Sequence, residues 1–364
     1  MSIKLRSVFV VLVAAGTALL AANPAAAAPA PRSPLDALPA GRPPLSVPYA
    51  LGMTVYYRGH RTSLNPLYDK LWGRPHTPRT TDRPRIVIGG GGYAWAQLSI
   101  AATDMANVVG RISPSGRWKQ FHVSTGDASR VSVTTAPLVA VPEDGLLLRT
   151  DGRKVASFTG NLNTSYNFFE SSAAGRYVVV HRHPNAPGAP DMGMWLWSPS
   201  VKPFQLPDGY RALGRLGAGW LGAPAGTTPG ARCWHVAPAS APLKTRPGTL
   251  CSMTLPLVSA DGAKAVVVQG GRVRVLDTVT GAQIRAARIP ALSGWSFWTT
   301  PYRYLIPAAW ESADSYLVTA RDDKVIALLR CSISTGRCER AVRAVTRPGI
   351  DIVVTERGFE DVVY

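Results

Sequence analysis

The residues whose chemistry the spacing constrains most are four cysteines: Cys233, Cys251, Cys331 and Cys338. Cys331 and Cys338 straddle the turn Ser334-Thr335-Gly336. In a tight hairpin they face each other, and opposite Cβ atoms of an antiparallel pair lie about 4.5–5.5 Å apart, near enough for a bridge. Cys233 and Cys251 are left to pair, stapling one hairpin to the chain that enters the next. Zinc would call for closely spaced thiolates with imidazoles. No Cys-x-x-Cys is present and His235 is the one histidine nearby, so all four are assigned to structural disulfides.

His181 and His183 are the next candidates. Alternate residues of a strand share a face, so both imidazoles could reach one metal ion, with Asp191 beyond a Pro-rich loop as a third ligand. Two histidines on an exposed strand are more often solvated, and no metal is assigned to them. Gly89-Gly-Gly-Gly92 lacks the Lys-Ser or Lys-Thr and the helix that a phosphate loop needs, so it reads as a flexible connection. Neither a Gly-x-Ser-x-Gly elbow nor a His-Glu-x-x-His helix occurs. No catalytic residue and no cofactor are assigned, and the balance leans away from an enzyme.

One stretch has the residue types of a recognition surface. Trp295, Trp298, Tyr302, Arg303, Tyr304 and Trp310 fall close together. Aromatic rings with arginine are enriched at binding hot spots, and such rings stack on sugars. The competing assignment is strand alternation into a core, as for Trp195 and Trp197. A second excursion, Pro66 to Pro84, carries Trp72, Arg74, His76, Arg79 and Arg83, and long loops on rigid scaffolds often carry function.

The elements that position these residues repeat. Turns at Gly59, Gly116, Gly152, Ser198-Pro-Ser200, Pro238, Gly281 and Gly336 follow one another. From Gly59 to Gly336 is 277 residues over six intervals, about 46 per repeat, the size of a four-stranded blade. A second marker keeps the same phase: Ser172-Ala-Ala-Gly, Ser259-Ala-Asp-Gly and Ser312-Ala-Asp-Ser each precede an apolar strand. Asp bonds nearby backbone and Gly tolerates positive φ, so this marker is a turn. Helix signals are almost absent. The expected fold is all-β, a seven-bladed β-propeller over 47–364. The first blade is one strand short, and the C-terminal strand is expected to complete it and close the ring.

The Ser-Ala-Asp-Gly strand and the Asp-Thr-x-Thr-Gly hairpin resemble WD40, YVTN and TolB-type propeller repeats. The Arg330-Cys…Thr-Gly-Arg-Cys-Glu339 hairpin is similar to one in secreted propeller-like proteins of actinobacteria. The resemblance implies a fold and no catalytic residue. The Trp-Asp dipeptide of WD40 repeats is missing.

The N-terminus sets the expected compartment. Lys4 and Arg6, an apolar run over 8–22 and Ala25-Ala-Ala-Ala28 have the layout of a secretory signal peptide over 1–27. Residues 28–46, rich in Pro and Ala, are expected to be a mobile linker outside the fold. The chain carries 40 basic and 22 acidic side chains, and without Lys4 and Arg6 the balance is 38 against 22, or +16. Such a charge favours anionic partners. The expected protein is therefore secreted, free or wall-associated, monomeric, without a membrane span after cleavage, and directed to an envelope protein or an anionic wall polymer. Nucleic acid is not expected. The leading function is a non-catalytic binding or scaffold module. The alternative is a propeller hydrolase or lyase acting on wall-derived carbohydrate or peptide.

Overall fold

The computed structural model describes residues 33–44, 46–72, 84–88, 94–99, 106–125, 132–133, 138–141, 146–149, 154–157, 167–171, 178–182, 194–198, 201–213, 220–289, 304–322, 324–345 and 352–354. The signal-peptide assignment lies outside them. Among the described residues, no helix is long and apolar enough to cross a membrane.

The described strands form seven four-stranded antiparallel sheets. The first holds β1 (Tyr49–Leu51), β2 (Thr54–Tyr57) and β3 (His60–Ser63). The second holds β4 (Pro84–Ile88), β5 (Ala94–Ser99), β6 (Ala106–Ile112) and β7 (Trp118–Thr125). The third holds β8 (Ser132–Val133), β9 (Leu138–Val141), β10 (Leu146–Arg149) and β11 (Lys154–Ser157). The fourth holds β12 (Asn167–Ser171), β13 (Val178–Arg182), β14 (Met194–Ser198) and β15 (Val201–Gln205). The fifth holds β16 (Arg211–Leu213), β17 (Trp220–Thr228), β18 (Ala231–Pro238) and β19 (Thr249–Ser252). The sixth holds β20 (Leu257–Val258), β21 (Lys264–Gln269), β22 (Arg272–Asp277) and β23 (Gln283–Ala286). The seventh holds β24 (Tyr304–Trp310), β25 (Ser315–Arg321), β26 (Val325–Ser332) and β27 (Cys338–Val345). The last strand, β28 (Ile352–Val353), returns to the first sheet and pairs antiparallel with β1 through Ala50↔Val353 and Leu51↔Ile352.

Six sheets are four-stranded meanders, and the first is a three-stranded meander completed by β28, the strand order of propeller blades. Counting β28 as the first strand of its sheet, all seven turns read from the sequence fall at one place, the link from third to fourth strand. Their glycines explain why. Gly116, Gly281 and Gly336 have φ of 77°, 72° and 68°, left-handed values that favour glycine. In the first sheet, Arg58 and Gly59 form a two-residue loop with φ of 49° and 78°, the positive pair a type I′ hairpin needs.

Side chains from neighbouring sheets share cores. One cluster joins Val266, Val268, Val273 and Val275 of the sixth sheet to Leu305, Tyr316, Val318 and Leu329 of the seventh. Another joins the seventh sheet to the first through Ile306, Leu317 and Leu328 against Val47, Tyr49 and Ile352. The first and second sheets share Val55, Tyr57, Ala94 and Ile112, and the fifth and sixth share Trp234, Val236, Ala265 and Val267. Strand alternation sends the even and odd valines of β21 into different cores, so both faces of this sheet are buried.

Hairpins are also pinned by the sheet before them. Thr62 donates to the Gly116 carbonyl at 2.9 Å, and Arg285 Nε donates to the Ile333 carbonyl at 2.8 Å.

Among the described residues helix is nearly absent, as expected: α1 (Asn65–Trp72) opens the Pro66 excursion, and its Leu67 packs against the core of the first two sheets. One expectation is corrected. Residues 33–44 are not a linker outside the fold. A 3-10 turn over Pro34–Ala37 is capped by Ser33, whose Oγ accepts from Leu35 N–H at 3.0 Å. Leu35 and Leu38 are buried in the core of the sixth and seventh sheets. Full burial of a leucine contributes about 1.5–3 kcal/mol, enough to hold a segment whose average composition suggests a tether.

Candidate functional site

A cleft of about 340 Å³ opens between the sixth and seventh sheets. Leu257, Ser259, Asp261 and Lys264 line it from one side, and Trp310, Glu311 and Ser312 from the other. It is built from the repeat itself. Leu257 and Trp310 occupy the same repeat position, two residues before Ser259 and Ser312. The Trp310 indole N–H donates to the Leu257 carbonyl at 3.1 Å, linking equivalent strands of adjacent sheets. The Trp310 ring is tilted 58° against Tyr316, with centroids 5.8 Å apart.

The polar groups at the rim are engaged in shaping it. Asp261 Oδ1 accepts from Ser259 Oγ at 2.6 Å and from the Ala263 N–H at 3.0 Å. The Ser259 hydroxyl, with the Ala263 N–H after it, holds the Asp261 carboxyl below its ordinary range. Lys264 Nζ crosses the cleft to the Ala313 carbonyl at 3.1 Å. Glu311 is paired with Arg330, which also reaches Glu339 at 2.6 Å. The hydrogen bonding it donates to Glu311 is the main reason the Arg330 guanidinium is held above its usual range. Asp314, on the same turn, accepts from the Ser334 N–H at 2.8 Å and from the hydroxyls of Ser332 and Ser334, and lies below its ordinary range for that reason, the backbone bond first. Carboxylates fixed this way stay ionised and are poor proton shuttles near neutral pH.

The predicted recognition residues divide. Trp310 lines the cleft. Tyr304 does not: it is 5 % exposed, packed in the core shared with the first sheet, with Arg321 6.0 Å from its ring centroid. It starts a strand that is buried from Tyr304 through Ala309, so it is removed from the candidate surface. Trp295, Trp298, Tyr302 and Arg303 lie outside the described residues, as do His183 and Gly89 to Gly92. His181 falls in β13.

The two bridges join Cys233 to Cys251 and Cys331 to Cys338. Both pairs are opposite one another in register, with Cα atoms 3.9 and 4.1 Å apart. Among the described residues no group of three or more His, Cys, Asp or Glu side chains could hold a metal ion.

Lys264, Asp261 and Glu311 were not legible as cleft residues. The signal was there in part, since the Ser-Ala-Asp-Gly marker recurs in phase. Which side chain of the next repeat would lie over it depended on the stacking of the sheets.

No family model matches this chain, and no curated protein matches it. Solved structures do. A prolyl endopeptidase is similar over 72% of this chain and 42% of its own, at 16% identity and TM-score 0.46. The β-propeller domain of the Trilobed protease from Pyrococcus furiosus is similar over 71% of this chain and 84% of its own, at 8% and 0.40. TolB from Acinetobacter baumannii is similar over 80% and 69%, at 14% and 0.38. This chain thus spans less than half the length of the prolyl endopeptidase it matches.

Proposed function

We propose that this chain is an exported, non-catalytic binding or scaffold propeller of the cell envelope. Its seven sheets are seven blades of a closed ring, and β28 locks the last to the first. The cleft at Trp310 is one contact surface. On residue type alone, Trp295, Trp298, Tyr302 and Arg303 remain proposed ligand-binding residues.

The observation that supports this reading most is how the cleft's polar groups are used. Ser259, Asp261 and Glu311 are tied to their own turns or to Arg330, leaving an aromatic edge and a polar rim. That arrangement suits recognition rather than proton transfer. The excess of basic residues in the sequence favours an anionic wall polymer.

The test is co-sedimentation of the purified protein with cell-wall sacculi, with and without their anionic polymers. Salt-sensitive co-sedimentation without release of soluble sugar or peptide is expected. Lys264→Ala should weaken it at least several-fold. Release of soluble fragments would favour the rival, a hydrolase or lyase. Failure to sediment at low salt would remove the wall-polymer partner.

A further inference from the structure

The segment 33–42 lies on the seventh sheet like a bound ligand. Its backbone adds to the outer edge of β27: Gly41 N–H donates to the Arg340 carbonyl at 2.9 Å, and Arg340 N–H donates to the Pro39 carbonyl at 2.7 Å. Ala40 and Arg340 form a parallel bridge. This is how an extended peptide is taken up by an open sheet edge.

The side chains alternate between pocket and clamp. Leu35 and Leu38 enter the core of the sixth and seventh sheets, 0 % and 4 % exposed. Between them, Asp36 is gripped by two guanidinium groups: Arg340 reaches Oδ1 at 3.0 Å, and Arg343 reaches Oδ1 and Oδ2 at 2.5 and 3.1 Å. Arg340 Nε donates to the Leu38 carbonyl at 3.0 Å, and Arg330 donates to the Arg42 carbonyl at 2.9 Å. Ser33 meets Asp322 at the segment's other end. Backbone pairing supplies register here, two leucine pockets supply apolar specificity, and an arginine fork reads one carboxylate.

The separation along the chain is about 300 residues, so the segment and its groove are independent parts of the sequence. Only the stretch from Pro43 to Pro48 joins the segment to β1.

We propose that this face of the seventh sheet is a peptide-binding groove, filled in cis by segment 33–42 and able to take the same sequence from a second copy in trans. Its ligand class is a peptide whose acidic residue, flanked by leucines, sits in a single 3-10 turn and is followed by an extended stretch of Pro and a small residue. The cis segment is held at an effective concentration on the order of 1 mM by its short connection. A groove with a dissociation constant of about 10 μM would therefore be about 99 % self-occupied, and free peptide would bind the intact chain about 100-fold more weakly.

The test uses the full chain with a protease site inserted between Arg42 and Pro43, purified folded and then cut. The cut segment is expected to stay bound on gel filtration near 100 μM and to leave on dilution. A labelled synthetic peptide of sequence 33–42 should then bind the cut protein at least 20-fold more tightly than the uncut one. The same peptide carrying Asp36→Ala should compete at least 10-fold less well. Equal competition by that variant or a scrambled peptide, or no peptide binding to a cut protein of native circular dichroism, overturns the proposal. If cutting unfolds the protein, amide exchange on the uncut chain decides. A detachable segment lets Gly41 and Arg340 exchange by local opening, faster than Val318. Exchange of all three at one global rate would make 33–42 a fixed part of the core and overturn the proposal.

Discussion

The guanidinium of Arg246 lies 4.6 Å from the centroid of the Trp220 ring. The same guanidinium donates to the Gly262 carbonyl at 2.5 Å and to Thr278 Oγ1 at 2.6 Å. Residues of the fifth sheet thereby hold both turns at one end of the sixth. Gly262 has φ of 72°, and a Cβ there would overlap the Trp220 indole. The fourth position of the Ser-Ala-Asp-Gly marker is thus glycine for two reasons, backbone sign and inter-sheet packing.

Gly262→Ala is therefore expected to cost about 3 kcal/mol or more, from left-handed strain and overpacking together. Arg246→Ala is expected to cost about 1–3 kcal/mol through the lost charged hydrogen bonds and ring contact. Urea denaturation measures both. A loss below 1 kcal/mol for Gly262→Ala would show that the Trp220 stack is not maintained in solution.

The bridges should differ in strength by loop size. Sequence separations of 7 and 18 give about 2 kcal/mol for Cys331–Cys338 and about 3 kcal/mol for Cys233–Cys251 by the chain-entropy relation. Double Cys→Ala variants compared by denaturation should reproduce that order. Non-reducing peptide mapping checks the pairing, and any peptide linking Cys233 to Cys331 or Cys338 contradicts it.

Tyr316 is 1 % exposed, and its hydroxyl has no hydrogen-bond partner among the described residues. Burial pushes the phenol above its ordinary range. An unsatisfied buried hydroxyl costs about 1–3 kcal/mol, so Tyr316→Phe should stabilise by about 1 kcal/mol and raise the melting temperature. A drop in melting temperature would reveal a hydroxyl bonded in solution.

Tyr49 stacks on Tyr56 with centroids 4.9 Å apart and planes 6° from parallel. Burial, and then repulsion from Tyr56, push its phenol up to about 12. Above pH 10 the unfolded chain loses this proton while the folded chain keeps it. The folded state then binds more protons, and stability falls as pH rises from about 10 to about 12. Tyr49→Phe should remove on the order of 1–2 kcal/mol of that loss. An alkaline unfolding curve identical to that of the parent would contradict the assignment.

The sequence by itself determined the features written in neighbouring residues. Gly281 and Gly336 mark turns because one residue's φ decides them, and Asp261 and Asp277 fold back on N–H groups two or three positions on. Cys331 and Cys338 pair because a short hairpin places them opposite each other. The strand count of each repeat follows from the same local spacing. Tertiary structure alone decided which partner each buried face would meet. Alternation along β24 says that Tyr304 points to a sheet face, but not that the first sheet covers it. Nothing in a Pro- and Ala-rich stretch announces that Leu35 will fill a core beside Leu329, or that Asp36 will meet Arg340 and Arg343 some 300 residues away. Turn geometry is set by torsions within a few residues, whereas these contacts arise only when separate sheets stack and leave a cavity of matching shape and charge.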